Sequence, residues 1–144
     1  MPIDIEDRHN GIGVIYNCRG VVTVDDFFQA GNTFLAAPED IKKWRYCIVD
    51  LTSGETMQLE YKDVTSIVQQ NKHIAVFAVP GVLLAIASPK NLGYGIGRMW
   101  EVLVEQVGWE TRTFHSRPEA ELWIKQRTRQ KFGIELSDAA SNSG

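Results

Sequence analysis

The sequence predicts an α/β domain built on one five-stranded mixed sheet, with about four helices and only the first strand antiparallel. Residues 46–51 and 82–87 are unbroken apolar runs, which are typical of parallel strands buried on both faces. Segments with helical spacing alternate with these runs, and crossover helices of that kind join parallel strands. The dipeptide Asn10-Gly11 separates the first two runs and indicates an antiparallel hairpin.

Length and composition favour a single domain. The chain has 144 residues, of which 44% are hydrophobic, and a domain of this size buries about 70% of its unfolded-chain surface. We expect the domain to span residues 1–134. Residues 135–144 are small and polar, which predicts a disordered tail.

Charge and hydropathy argue against two kinds of partner. The formal net charge is -3 and the basic residues are scattered, so there is no basic patch for nucleic acid. No stretch reaches the roughly 18 apolar residues of a membrane-spanning helix, and the N-terminus has no basic leader. We therefore expect a cytoplasmic protein without membrane insertion.

The cysteines and histidines predict neither a metal site nor a disulfide. Cys18 and Cys47 both lie inside apolar strand-like runs, which indicates reduced, buried thiols. His9, His73 and His115 do not share the spacing of metal ligands. We expect no metal and no cofactor.

The N-terminal third predicts two strands and a helix. Residues 3–6 and 12–19 form the hairpin, and Gly20 is expected to close its second strand. Thr23 and Asp26 have the spacing of a capping box, so the first helix begins there and ends before Pro38.

The middle of the chain predicts the centre of the sheet. A polar connector over residues 39–45 precedes the central strand, residues 46–51. Residues 62–78 have apolar side chains at helical spacing, and a second interior strand follows over 82–87. A further amphipathic helix over 96–107 ends at a glycine.

The last third predicts an edge strand and a final helix. Residues 110–115 alternate and carry charge, as suits an edge strand. Ser116 and Glu119 form a capping box around Pro118, and the buried stripe of the last helix continues through Ala120, Trp123 and Ile124 toward Arg127. With consecutive strands as neighbours, the predicted sheet order is one, two, three, four, five.

This winding leaves one face of the sheet to be explained. A sequential order places the helices mainly on one face, whereas residues 46–51 and 82–87 are apolar on both. Either a helix crosses to the second face or a partner subunit covers it, and the latter would make a homodimer.

The candidate binding residues follow the carboxyl ends of the parallel strands, where open α/β sheets gather ligands. The loop over residues 50–56 is the first candidate. A glycine-rich turn over residues 93–97 is the second, because its amides and the helix dipole suit an anion, although its spacing is not that of a dinucleotide site. The candidates are Asp50, Thr52, Ser53, Lys90, Gly95, Arg98 and His115.

Arg98 is expected to have an acidic partner. It lies in the first turn of a helix, where a cation gains nothing from the helix dipole. Asp50, at the end of the central strand, is the proposed partner, and a structural ion pair is the favoured interpretation.

Five segments carry a resemblance to a known family: Val49-Asp50-Leu51-Thr52, Leu83-Leu84-Ala85-Ile86-Ala87, Tyr94-Gly95-Ile96-Gly97-Arg98-Met99-Trp100, and residues 110–114 and 118–124. They resemble SpoIIAA-like or STAS-like bacterial domains, which are related to anti-sigma factor antagonists and to lipid-carrying Sec14-type domains. The similarity covers roughly residues 3–128 and implies a mixed sheet with four helices.

The chain departs from that family at the phosphorylated serine. Antagonist domains carry it in an Asp-Ser-Ser-Gly turn that opens a helix, and alignment on Asp50 places this turn near residues 59–62. The sequence there is Leu-Glu-Tyr-Lys. The usual phosphorylatable serine is therefore missing.

Three classes of function follow. A non-enzymatic regulatory or interaction module, binding another protein or a second copy, ranks first. A carrier or sensor of a small apolar or anionic ligand at the carboxyl edge of the sheet ranks second. A small hydrolase or transferase using Asp50, Ser53 and His115 ranks last, because no spacing supports it.

Overall fold

The computed structural model describes residues 3–88 and 94–137. Its five strands lie in the order β1-β2-β3-β4-β5, with only the β1–β2 pair antiparallel. This confirms the predicted mixed sheet. The strands are β1 (Ile3–Arg8), β2 (Gly13–Thr23), β3 (Tyr46–Gln58), β4 (Leu83–Ala87) and β5 (Glu110–Phe114).

Five helices lie within the described residues, one more than predicted. The additional helix is a single turn in the connector between the first helix and the central strand, where Pro38 starts the turn and Ile41 is buried. The helices are α1 (Val24–Leu35), α2 (Pro38–Ile41), α3 (Tyr61–Ala75), α4 (Tyr94–Val104) and α5 (Arg117–Phe132).

Local capping signals start α1 and α5 as predicted. The Thr23 side chain accepts a hydrogen bond from the Asp26 amide, and the Asp26 carboxylate accepts one from the Thr23 amide. Ser116 caps α5 through the Glu119 amide, with Pro118 in the first turn. These contacts satisfy N–H groups that a helix N-terminus leaves without partners.

The strands β2 and β3 both run further than predicted. Gly20, expected to end β2, lies inside it with a φ of +60°, and the pairing with β3 continues from Arg19 to Thr23. The register shifts on either side of Arg19 and Gly20, as in β-bulges. Residues 50–56, predicted as a loop, therefore belong to a strand.

A two-stranded parallel ribbon results, formed by residues 19–23 of β2 and 53–58 of β3. The pairing of β3 with β4 covers only Tyr46 to Asp50, because β4 ends at Ala87. The ribbon therefore extends beyond the part of the sheet in which β3 has a strand on each side.

Three helices cover the first face of the sheet. Phe27 of α1, Ile67 of α3 and Trp100 of α4 are buried in one core with Val49 and Leu84 of the sheet. These helices are the crossovers expected from a sequential winding of parallel strands.

The final helix covers the second face. Ala120 and Ile124 of α5 are buried against Ile48, Leu83 and Ala85, which point away from the first core because side chains alternate along a strand. Of the two explanations open at the level of sequence, a crossing helix is the one the structure shows. No second copy is needed to bury these residues.

The segment after α5 turns back onto the same core. Leu136 is buried with Ile124, and Glu135 forms an ion pair with Arg129 at 2.8 Å. Residues 135–137 thus lie against the domain, in contrast to the predicted disordered tail, because Leu136 supplies an apolar anchor within a polar stretch. The remainder of that prediction, residues 138–144, lies outside the described residues.

Among the described residues, no helix is both long enough and apolar enough to cross a bilayer.

Candidate functional site

Asp50 lies at the carboxyl end of the central strand, and both of its carboxylate oxygens accept hydrogen bonds. Its Oδ1 accepts from the Thr52 amide at 2.8 Å and from the Thr52 hydroxyl at 2.6 Å. Its Oδ2 accepts from Nη1 of Arg117 at 2.8 Å. The partner of Asp50 is therefore Arg117, at the start of α5, and the predicted pairing with Arg98 is wrong.

Arg117 and Arg8 hold Glu121 between them. Nε of Arg117 donates to Glu121 Oε2 at 2.9 Å, and the two terminal nitrogens of Arg8 donate to Oε1 and Oε2 at 3.0 and 3.2 Å. Nε of Arg8 also donates to Glu6 at 3.0 Å. We call this set the arginine–carboxylate network, comprising Glu6, Arg8, Asn17, Asp50, Arg117 and Glu121.

The strand register explains why these residues meet. Arg8 lies opposite Gly13, and Asn17 lies opposite Asp50, so alternation places Glu6, Arg8, Asn17 and Asp50 on the second face. Arg117 and Glu121 are four residues apart on α5 and so share one side of the helix. The helix crosses the sheet with this side toward the hairpin.

Hydrogen bonding keeps Asp50 ionised. Burial by itself raises the pKa of this carboxyl, but the bonds from Thr52 and Arg117 outweigh burial and hold the pKa below the ordinary value of 3.8. For Arg117, burial lowers the pKa, whereas its bonds to Asp50 and Glu121 outweigh burial and raise the pKa. The network therefore fixes both groups as ions near neutral pH.

We predict that Asp50 makes folding sensitive to acid. Because its folded pKa lies below its unfolded pKa, its contribution to the free energy of unfolding is present at neutral pH and is lost as pH falls through the folded value. Urea unfolding of the wild type and of Asp50→Asn should differ most at pH 7, with the difference shrinking below about pH 4. A difference that is constant with pH would contradict this assignment.

A cleft of about 370 Å³ adjoins the network. We call it the α5 cleft, because α5 forms one side of it and the hairpin turn and the segment after α5 form the others. Its lining is Arg8, His9, Tyr46, Arg117, Pro118, Glu121, Leu122, Ile124, Lys125, Leu136 and Ser137.

Tyr46 is the buried aromatic wall of this cleft. A Cβ at Gly13 would overlap the Tyr46 ring, so glycine at that position makes the room that the ring occupies. Nδ1 of His9 lies 2.7 Å from the Tyr46 hydroxyl, and Nε2 of His9 lies 3.2 Å from the carbonyl oxygen of Ser137. Burial raises the pKa of Tyr46 despite the nearby Arg8, so its hydroxyl stays protonated.

Three other predicted site residues differ in their relation to Asp50. Thr52 contacts it, whereas Ser53 is exposed on the ribbon opposite Arg19. Arg98 is exposed and lies 4.0 Å from Glu101 on its own helix.

Of the three further candidates, two lie within the described residues. Gly95 lies near the start of α4, and His115 is exposed directly after β5. Lys90 lies outside the described residues.

The buried thiols are poor nucleophiles. Burial raises the pKa of Cys47 to about 12. Burial, with a smaller effect of Asp50, raises the pKa of Cys18 to about 12. A thiol with such a pKa contains almost no thiolate at neutral pH. In the described ranges, no three histidine, cysteine or acidic side chains lie close enough together to hold a metal ion.

A second cavity lies at the first core, and five of its twelve lining residues are aromatic. Trp44, Trp100 and Trp109 line it, and its volume is about 30 Å³. Nε1 of Trp100 is buried without a hydrogen-bond partner among the described residues. This volume is on the scale of one water molecule and far below that of a carried ligand.

Sequence reasoning missed Arg8, Arg117 and Glu121. Two signals pointed to them: the alternation of β1, which places Arg8 on the same face as Asn17, and the four-residue spacing of Arg117 and Glu121. Neither signal is decisive until the path of α5 across the second face is known.

Comparison with known proteins places the fold. No protein-family model matches the chain, and no curated protein sequence matches it significantly. One similar solved structure is an uncharacterized protein from the DUF3478 family with a SpoIIAA-like fold, from Shewanella loihica PV-4. It is 18% identical, with 84% of this chain and 90% of that chain covered and a TM-score of 0.50. This likeness confirms the SpoIIAA-like fold and shows the fold alone.

Proposed function

We propose that this protein is a non-enzymatic regulatory module that acts by binding a protein partner. The SpoIIAA-like fold is compatible with this role but does not by itself imply it, because function depends on the site that a fold carries. The ionisable groups and the exposed surface of the described residues therefore bear on the role.

The exposed ribbon carries the assignment of a partner, and the directions of the pKa shifts are consistent with a role without acid–base catalysis. Each resolved shift in the described part of the chain moves a group away from neutrality, whereas catalytic acids, bases and nucleophiles are tuned toward the working pH. The pKa values are lowered for Asp50 and Glu110 and raised for Tyr16, Cys18, Tyr46, Cys47, Arg117 and Arg127.

The start of α3 lacks the serine of the usual phosphorylation switch. Glu60 caps this helix, and its amide donates to Asp63 at 2.9 Å. The hydroxyls of Thr65 and Ser66, one turn later, donate to backbone carbonyls of their own helix. The acidic cap occupies the place at which the resemblance puts the phosphorylated serine.

The two-stranded ribbon is the surface that we assign to the partner. Isolated pairs of strands are only marginally stable in water, so a ribbon that leaves the sheet gains from a further contact. Arg19 and Val21 of β2 and Ser53 of β3 are exposed on it. A second copy of the chain and an unrelated protein are both possible partners.

Affinity capture with the full chain as bait, followed by native mass spectrometry, tests this function. We expect a complex of defined stoichiometry that Val21→Glu weakens, because the new charge lies on the ribbon. Val76→Glu is the matched control, since Val76 is an exposed valine at the end of α3. A strictly monomeric chain without a captured partner would refute the proposed binding function. If both glutamate variants weakened the complex equally, the assignment of the partner to the ribbon would be wrong.

A further inference from the structure

We propose that the free edge of β1 binds an extended, basic segment of a protein partner, which adds a strand to the sheet. This inference goes beyond the proposed function and does not depend on it, because the surface is separate from the ribbon. β1 pairs with β2 from Gly13 to Cys18, whereas the ribbon begins at Arg19. The basic side chain of the partner occupies a pocket at the other end of β1, beside the hairpin turn.

β1 is the outer strand of the described sheet. It pairs with β2 on one side, and no strand of the described residues lies on its other side. In an antiparallel pair, the N–H and C=O groups of alternate residues point away from the neighbouring strand. An edge of this kind can accept a further strand, whose main chain bonds to these groups and whose alternate side chains enter pockets beside the edge.

A pocket of about 240 Å³ lies at the hairpin end of β1, where Asn10 and Gly11 line it. We call it the β1 pocket. Ile3 is buried in the first core, so alternation places Ile5 and Asp7 on the same face, and both line the pocket. The volume lies below the range of about 300–1,000 Å³ that is usual for small-molecule sites. It therefore suits one long side chain rather than a whole ligand.

The β1 pocket combines apolar walls with two carboxylates. Phe34 and Trp44 line it, and the apolar stem of an arginine or lysine side chain can pack on such rings. The carboxylates of Asp7 and Asp40 also line it, and neither forms a hydrogen bond or ion pair with any residue that the structure describes. Lys43 is the one cation in the lining. A basic side chain would thus find carboxylate partners that the described chain leaves open.

The charges of β1 favour a basic strand over a second copy of this chain. In the antiparallel registers that pair most of β1 with itself, Asp4 would lie opposite Glu6 or Asp7, or Glu6 would lie opposite its own copy. Like charges directly opposite each other destabilise a strand pair. The acids therefore oppose self-pairing at this edge, whereas a basic strand meets attraction at the same positions. Ile5, which is 39% exposed, adds apolar surface that the new strand would cover.

Titration of the full chain with two short peptides tests this inference. Both peptides alternate threonine and valine, and they differ only at the central residue, which is arginine in one and glutamate in the other. We expect the arginine peptide to bind at least about tenfold more tightly. It should also slow the hydrogen exchange of the β1 amides that point away from β2, which 1H-15N NMR measures.

Three outcomes of this titration would overturn the proposal. They are absence of binding, equal affinity for the two peptides, and binding without protection of the β1 amides. Protection that rises with the concentration of the chain alone would assign the edge to a second copy instead.

A pair of charge variants tests the role of the β1 pocket. Asp40→Lys reverses one pocket carboxylate without changing β1, and it should weaken binding of the arginine peptide about tenfold. Glu105→Lys makes the same reversal at an exposed position shortly before β5, the strand at the opposite edge of the sheet. Asp40→Asn, which keeps the shape of the side chain, should weaken binding in the same direction. Equal affinity of the Asp40 and Glu105 variants would overturn the assignment to the pocket.

Discussion

Replacing Ile124 by alanine is expected to lower the free energy of unfolding by about 3 kcal/mol. Ile124 is 2% exposed and packs in the second core with Ile48 and Leu83 of the sheet. Three carbon atoms are lost from a site at which α5, together with Leu136 after it, covers the apolar strands. The cavity that remains loses packing contacts and cannot close without moving the helix.

Leu122→Ala is the matched control for this change. It lies on the same helix and loses the same number of carbon atoms, but its side chain is 56% exposed. We expect its free energy of unfolding to differ from that of the wild type by no more than about 0.5 kcal/mol. Urea unfolding followed by circular dichroism measures both variants, and equal effects at the two positions would mean that α5 does not seal the second face.

Replacing Arg117 by alanine is expected to lower the free energy of unfolding by about 2–3 kcal/mol, because Asp50 would keep its buried charge without its cationic partner. The side chains are 24% exposed for Arg117 and 11% for Asp50, so water screens the pair only partly. This exposure is why we place the expected loss below that of a fully buried ion pair.

A double-mutant cycle isolates this interaction. Asp50→Asn removes the charge that Arg117 neutralises. The double variant with Arg117→Ala should therefore lose less free energy of unfolding than the sum of the losses in the two single variants. Arg129→Ala is the control on the same helix, because both side chains of the Arg129–Glu135 ion pair are exposed. We expect its free energy of unfolding to change by at most about 1 kcal/mol. Strict additivity in the cycle would contradict a direct Asp50–Arg117 coupling.

The two arginines that compete for Asp50 show where reasoning from sequence fails. Arg117 is the first residue of α5, whereas Arg98, predicted in the first turn of its helix, is the fifth residue of α4, and both helices follow parallel strands. Arg117 is the partner because α5 crosses to the face on which the Asp50 side chain points. Residue type and spacing do not distinguish the two faces, whereas the path of the helix does.

The extension of β2 and β3 has a similar origin. Gly20 is a reasonable end for a strand, and residues 52–54 have the composition of a turn. The register shifts around Arg19 and Gly20 instead keep the two strands paired, and bonds from Thr52 to Asp50 hold the backbone there. Pairing with a neighbouring strand thus overrode the local preference for a turn.

The sequence by itself determined the α/β class, the order of the strands, the single antiparallel pair and the helix caps. These features depend on local periodicity, on contacts between residues close in the chain and on the handedness of crossover connections. Only the tertiary structure decided that α5 covers the second face, that Arg117 is the partner of Asp50 and that Arg8 joins them. Those contacts join residues as much as 113 positions apart in the chain, and local patterns carry no information about which distant segments pack together.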